Sequence, residues 1–224
     1  RPARIFCAGL GTNRAGYKYH PASNRRRSGN RGGVSKDYGF SEYFDTGSTG
    51  NITGLYRYKN STGDNFFVYS KGADVYKLVA GVATSFHSTL SSGAFAHFET
   101  AKDKLIICDG IAKPYAWTGS GATAVVSSDA PTGARQTLYT QNRLWVFSAT
   151  TDTGLVSYSD VDDITTGYAT NFVNCNQNNG DAIVGISKLF IPGSLEPLVF
   201  VAKQNSCGII SGTGATDDPY TYKE

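Results

Sequence analysis

The side chains best suited to chemistry are few in this sequence. Of 224 residues, three are His, four are Cys and four are Glu. His20 stands near the start, and His87 and His97 flank a strand-like stretch. A zinc site wants three or four ligands at recognisable spacing, so isolated strand histidines read as packing residues. Cys7, Cys108, Cys175 and Cys207 are scattered without a Cys-x-x-Cys pair. That spacing suits neither zinc nor a disulfide scaffold, and buried free thiols of a reducing cytoplasm are expected. The sequence contains no Gly-x-Ser-x-Gly, no His-Glu-x-x-His, no P-loop and no dinucleotide fingerprint. Its densest acidic stretch, Ser157-Tyr158-Ser159-Asp160-Val161-Asp162-Asp163, lacks the Gly and Glu continuation of a calcium loop. Turn capping is the expected role of those aspartates. No catalytic residue, metal ligand or cofactor is assigned.

Charge is more informative than reactivity. Residues 1–36 carry nine basic groups and no acid, while the remaining 188 residues carry twelve basic against eighteen acidic groups, a balance of −6. The chain therefore reads as a basic arm on a mildly acidic body. Ser28-Gly29-Asn30-Arg31-Gly32-Gly33 cannot build a core. Aromatics are sparse there, with Tyr17 and Tyr19 the ones that interleave, which is poor for stacking single-stranded nucleic acid. Such an arm suits contact with a polyanion or with the acidic face of a neighbouring subunit, and protein is the favoured partner, with Arg25, Arg26, Arg27 and Arg31 as the residues expected to make the contact. The alternative is a solvated arm paired with its own body.

These groups must be positioned by strands. Gly, Ser and Thr supply 26, 21 and 22 residues, with 14 Tyr, 12 Phe and no Met. Thr, Tyr, Phe and Val fit a pleated surface, whereas helical proteins lean on Glu, Met, Leu and Ala. A mainly helical protein is excluded, as is an α/β protein with many crossover helices. No stretch reaches the roughly 20 apolar residues of a membrane-spanning helix, so no membrane span is expected. A chain that begins at Arg1 and lacks Met is expected to be a processed or partial one.

The body repeats. Phe66-Phe67-Val68, Leu105-Ile106-Ile107 and Leu144-Trp145-Val146 begin 39 residues apart, and Leu198-Val199-Phe200 follows after 54. A polar turn and another strand-like run precede each triplet: Gly54–Tyr58, Ala94–Phe98, Gln136–Tyr139 and Ile183–Ile191. A third run follows each: Val75–Leu78, Pro114–Trp117, Leu155–Tyr158 and Gly208–Ile210. Each unit is thus an antiparallel meander of at least three strands with a central strand apolar on both faces. Such a sheet cannot bury both faces alone and must stack on its neighbours.

The expected fold is all-β: antiparallel meander repeats forming a partial or complete β-propeller, with an extended basic N-terminal arm. The expected division is 1–50 for the arm and its connection and 51–224 for about four blades. A β-sandwich, the competitor, predicts no 39-residue recurrence.

A catalytic propeller of the glycosidase kind needs paired carboxylates roughly 5–10 Å apart. The sialidase turn Ser-x-Asp-x-Gly-x-x-Trp is missing. Trp117 and Trp145 are the aromatics a sugar pocket near the axis would use, and packing between blades is their expected role.

One ordered series of residues adds a resemblance. It runs Gly32-Gly33-Val34, Tyr38-Gly39-Phe40, Ile52-Thr53-Gly54-Leu55-Tyr56-Arg57-Tyr58, Lys104-Leu105-Ile106-Ile107-Cys108-Asp109-Gly110 and Lys113-Pro114-Tyr115. It continues through Asn142-Arg143-Leu144-Trp145, Tyr158-Ser159-Asp160, Asn179-Gly180-Asp181-Ala182-Ile183, Lys203 and Gly208-Ile209-Ile210-Ser211-Gly212. In this order the chain resembles the β-propeller tail proteins of tailed bacteriophages, the nozzle, tail-hub and tail tubular components. The resemblance implies a structural virion protein, not an enzyme, assembled in the host cytoplasm into a homo-oligomeric ring, commonly a hexamer. It implies an adaptor and fibres or spikes as neighbours, and phage DNA that passes without sequence-specific binding. Two other readings stand beside it: a carbohydrate-binding or glycosidase-like propeller acting in host-surface recognition, and a protein-interaction propeller of cellular origin.

Overall fold

In the computed structural model, residues 2–8, 40–91, 93–175, 180–192 and 197–224 are described. The chain divides into two compact units, Arg1–Thr49 and Gly50–Glu224. In the first, β1 (Pro2–Ala8) pairs antiparallel with β2 (Phe40–Thr49), from Ala8 opposite Phe40 to Pro2 opposite Thr49, with two register shifts between. Both ends of the segment expected to be an arm are therefore strands. Arg25, Arg26, Arg27, Arg31 and His20 lie outside the described residues.

The second unit holds four antiparallel meanders of four strands each, and its described residues include no helix. The first sheet is β3 (Ile52–Lys59), β4 (Asn65–Lys71), β5 (Asp74–Val79) and β6 (Val82–His87). The second is β7 (His97–Ala101), β8 (Lys104–Cys108), β9 (Tyr115–Trp117) and β10 (Ala124–Val125). The third is β11 (Ala134–Thr140), β12 (Arg143–Ser148), β13 (Leu155–Tyr158) and β14 (Phe172–Asn174). The fourth is β15 (Ile183–Leu189), β16 (Leu198–Lys203), β17 (Cys207–Ser211) and β18 (Thr221–Lys223). The turns between β7 and β8 and between β11 and β12 have two residues each, Lys102-Asp103 and Gln141-Asn142, all at positive φ. That backbone matches the twist of the strands it joins.

The first strands of successive sheets lie side by side, β3 by β7, β7 by β11 and β11 by β15. That is the radial order of propeller blades. Contacts run from each sheet to the next in sequence; between the first and fourth none of comparable extent is made among the described residues. Three apolar clusters fill the spaces between neighbours. Tyr58, Val68 and Val75 meet Leu105, Ile107 and Trp117. Ile106 and Cys108 meet Leu144 and Val146. Trp145, Phe147 and Val156 meet Val199, Val201 and Ile210. The second strand of each inner sheet is therefore buried on both faces, and β12 shows no exposed residue along its length.

The 39-residue spacing is true in facing for one pair of triplets. Leu105 and Ile107 look back to the first sheet as Leu144 and Val146 look back to the second. Phe66 and Val68, by contrast, look forward, and in the fourth sheet Val199 and Val201 look back where Leu198 and Phe200 were aligned to do so. Side chains alternate with period 2, so one residue of displacement exchanges the faces. In the fourth sheet Leu198 itself closes the hairpin opposite Leu189, whereas Leu105 and Leu144 stand one residue past the closing pair; in the first sheet the hairpin between Lys59 and Asn65 has five residues against two.

Candidate functional site

The first strands of the sheets do not pair in ladders with one another; side chains bridge them. Tyr56 and Thr100 hydroxyls meet at 3.0 Å between β3 and β7. The backbone N–H of Thr137 donates to His97 Nδ1 at 3.5 Å, and that of Tyr139 to Glu99 Oε1 at 3.4 Å. Gln136 then spans to β15 with both ends of its amide, Nε2 donating to Ile186 O at 2.8 Å and Oε1 accepting from Ile186 N at 3.1 Å. Gly54 lets β3 come this close, because a Cβ there would lie 2.6 Å from Ala96 O and 2.8 Å from the Phe98 ring.

At one end of these strands opens a cavity of about 240 Å³ built from all four sheets: Thr53, Phe95, Ala96, His97, Arg135, Gln136 and Val184. Its chemistry is one guanidinium beside exposed apolar surface, with Phe95 69% and Val184 53% exposed. Burial pushes the His97 imidazole down to about 4, so it stays neutral at physiological pH. A neutral imidazole accepting a backbone N–H is a structural group, not a poised acid.

A second cavity, about 250 Å³, lies at the end of the third sheet and contains two carboxylates, Asp129 and Asp152, with Tyr168 and Phe172. Glycoside hydrolysis by an acid–base pair needs one carboxyl held protonated. Asp129 moves the other way: the Ser127 hydroxyl, with backbone N–H groups assisting, holds it below the usual carboxylate range. A third cavity, about 310 Å³, sits between the third and fourth sheets, lined by Gln141, Asn142, Val161, Gly212, Thr213 and Tyr220.

The residues singled out in the sequence are engaged in the fold. Trp117 and Trp145 are 1% and 0% exposed. Trp117 stacks on Phe86 at 3.9 Å, and Trp145 packs against Tyr158 and Tyr220, both at 4.7 Å. Neither indole lines a cavity described above. His87 is buried against Tyr115, with Nδ1 at 2.7 Å from Thr123 Oγ1. Asp160 accepts from Thr166 Oγ1 and Asn171 Nδ2, Asp163 caps Thr165, and Asp162 pairs with Lys102 at 2.5 Å. Asp109 receives the N–H groups of Ser91, Ile111 and Ala112. Burial pushes its carboxyl up, yet those bonds outweigh it and leave it low. Among the described residues no three His, Cys, Asp or Glu are grouped to hold a metal. Cys108 and Cys175 are buried free thiols, whereas Cys207 is exposed. No described helix is long and apolar enough to cross a membrane.

No family model matches this chain, and no curated protein does. Among solved structures, the computationally designed Ika4 protein superposes with a TM-score of 0.50 at 12% identity, over 73% of this chain and 92% of that one. BBS1N, in its complex with ARL6DN, gives 0.49 at 12% identity, over 81% of this chain and 58% of that one. At this identity the likeness to Ika4 is one of fold alone, and that to BBS1N carries no further weight.

Proposed function

We propose that this chain is a structural component of a phage tail, of nozzle or hub type, which acts by assembling into a homo-oligomeric ring. The observation that carries the reading is the outward face of the fourth sheet. In the first three sheets the face toward the next sheet is filled, by Val68, by Ile106 and by Phe147 in turn. In the fourth, Leu189, Leu198, Phe200 and Ile209 occupy that face, partly exposed and outside the three core clusters, and Phe190 beyond them is 74% exposed. A neighbouring copy seated there would continue the apolar stacking that joins the sheets. The ordered series from Gly32 to Gly212 supports the same reading.

In such a ring the basic arm, through Arg25, Arg26, Arg27 and Arg31, faces the acidic body of a neighbour. It does not line the DNA path, because a basic lumen would grip phosphates that must pass. Adaptor and fibre proteins are the remaining neighbours in this reading. Light scattering on the purified chain tests it: a defined oligomer is expected, and Phe200→Asp with Ile209→Lys should shift it to monomer while the strand circular-dichroism signature stays. A wild-type monomer at every concentration counts against the assembly role.

A further inference from the structure

The cavity between the third and fourth sheets is a built site rather than a surface dent. Its aromatic wall is Tyr220, packed edge-on to Trp145 and Tyr158 at 4.7 and 5.0 Å. Behind that wall lies Arg143, 8% exposed, its guanidinium 5.2 Å from the Tyr158 ring and 5.7 Å from the Tyr220 ring. Nη1 donates to Ser159 O at 2.8 Å, while Nε has no partner. Gly214, at φ +76, wraps the loop onto this group, since a Cβ there would meet the Tyr220 ring at 2.5 Å. The Gln141-Asn142 turn also lines the cavity, pinned by the Asp162 N–H on Asn142 O at 2.8 Å. Gln141 Oε1 is buried there without a donor.

Three buried side-chain polar atoms of the described residues lack partners, and two of them, Gln141 Oε1 and Arg143 Nε, belong to this one region. Both atoms are closed to solvent, so they belong to the packed backing of the cavity, and a ligand would meet the groups that line it. The cavity, about 310 Å³, has room for on the order of ten waters at about 30 Å³ each. The lining combines an aromatic ring, the apolar Val161, two side-chain amides and the Thr213 hydroxyl. Ring faces with neutral donors and acceptors match a ligand that presents C–H surface on one side and hydroxyls around its edge. Charge argues for neutrality, because Asp218 receives the Thr213 N–H at 3.0 Å, and Asp162 beside Asn142 is already matched by Lys102. An anion would meet the Asp218 carboxylate at the lining, whereas Arg143 lies behind it.

We propose that this cavity binds a neutral sugar ring, stacked on Tyr220 and hydrogen-bonded by Gln141, Asn142 and Thr213. The proposal stands apart from the assembly reading and survives or fails without it. Saturation-transfer NMR on the full chain tests it, with methyl α-glucopyranoside, methyl β-galactopyranoside and methyl α-mannopyranoside as neutral probes and glucuronate as the charged one. At least one neutral glycoside should give a saturable signal that Gln141→Leu and Thr213→Val each weaken about tenfold, with Lys188→Ala as a remote control that leaves it unchanged. Failure of all three neutral probes overturns the proposal. So does a signal that survives both substitutions undiminished, or binding of glucuronate alone.

Discussion

His97 shows how a residue with catalytic potential is held to a structural task. Its ring is partly buried at the junction of the second and third sheets, and its Nδ1 accepts the Thr137 N–H. Protonation places a charge where burial opposes it, which is why its value falls to about 4. A group whose folded value is depressed below its unfolded one contributes stability that is present above the unfolded value and lost as pH falls. Stability should therefore decline between pH 6.5 and about 4, by at most about 3 kcal/mol from this residue. His87, also lowered by burial against weaker opposing pulls from Asp109 and Asp74, acts in the same direction. Urea denaturation at a series of pH values should show the decline, and His97→Gln should flatten it; an unchanged slope in the variant would mean that His97 is not the group responsible.

Phe147 is 1% exposed and fills the space between the third and fourth sheets, so Phe147→Ala should cost about 3–5 kcal/mol. Phe172, in the same sheet but 51% exposed, should cost less than about 0.5 kcal/mol on the same change. Gln136→Leu removes both bonds to Ile186 and should cost about 1–3 kcal/mol by leaving a backbone donor and acceptor without partners. Equilibrium unfolding of the three variants measures these differences, and equal costs for Phe147 and Phe172 would contradict the stacked arrangement.

The second strands are legible in the sequence because burial on two faces makes an unbroken apolar run. The fourth strands are not. β10 has two residues and buries neither, while β14 and β18 have three and bury Val173 and Tyr222 alone. Such segments carry no periodicity to read. The facing of Phe66 and Val199 is equally hidden, since it depends on where each triplet stands relative to its hairpin, which the triplets themselves do not show. The cavity of the further inference is assembled by turns from two sheets, so the spacing between Gln141 and Tyr220 says nothing of their meeting.

At the scale of the whole molecule, the division of charge is the property that bears on the proposed assembly. Residues 1–36 hold nine basic groups, and the rest of the chain sums to −6. Attraction of this kind steers association and weakens with salt. Reversal of Arg25, Arg26, Arg27 and Arg31 to Glu should slow or abolish oligomer formation and remove its salt dependence, as read by light scattering across ionic strengths. Retention of the wild-type oligomer and salt response would show that the arm faces something other than a neighbouring subunit.

The most direct test of the proposed structural role is to find the chain in a particle. Immunogold electron microscopy of tailed phage that encodes this sequence, with antibody raised against residues 50–224, should place label at the tail, in a ring below the portal. Label confined to the capsid, or particles that carry none while infected cells contain the free protein, would contradict the account.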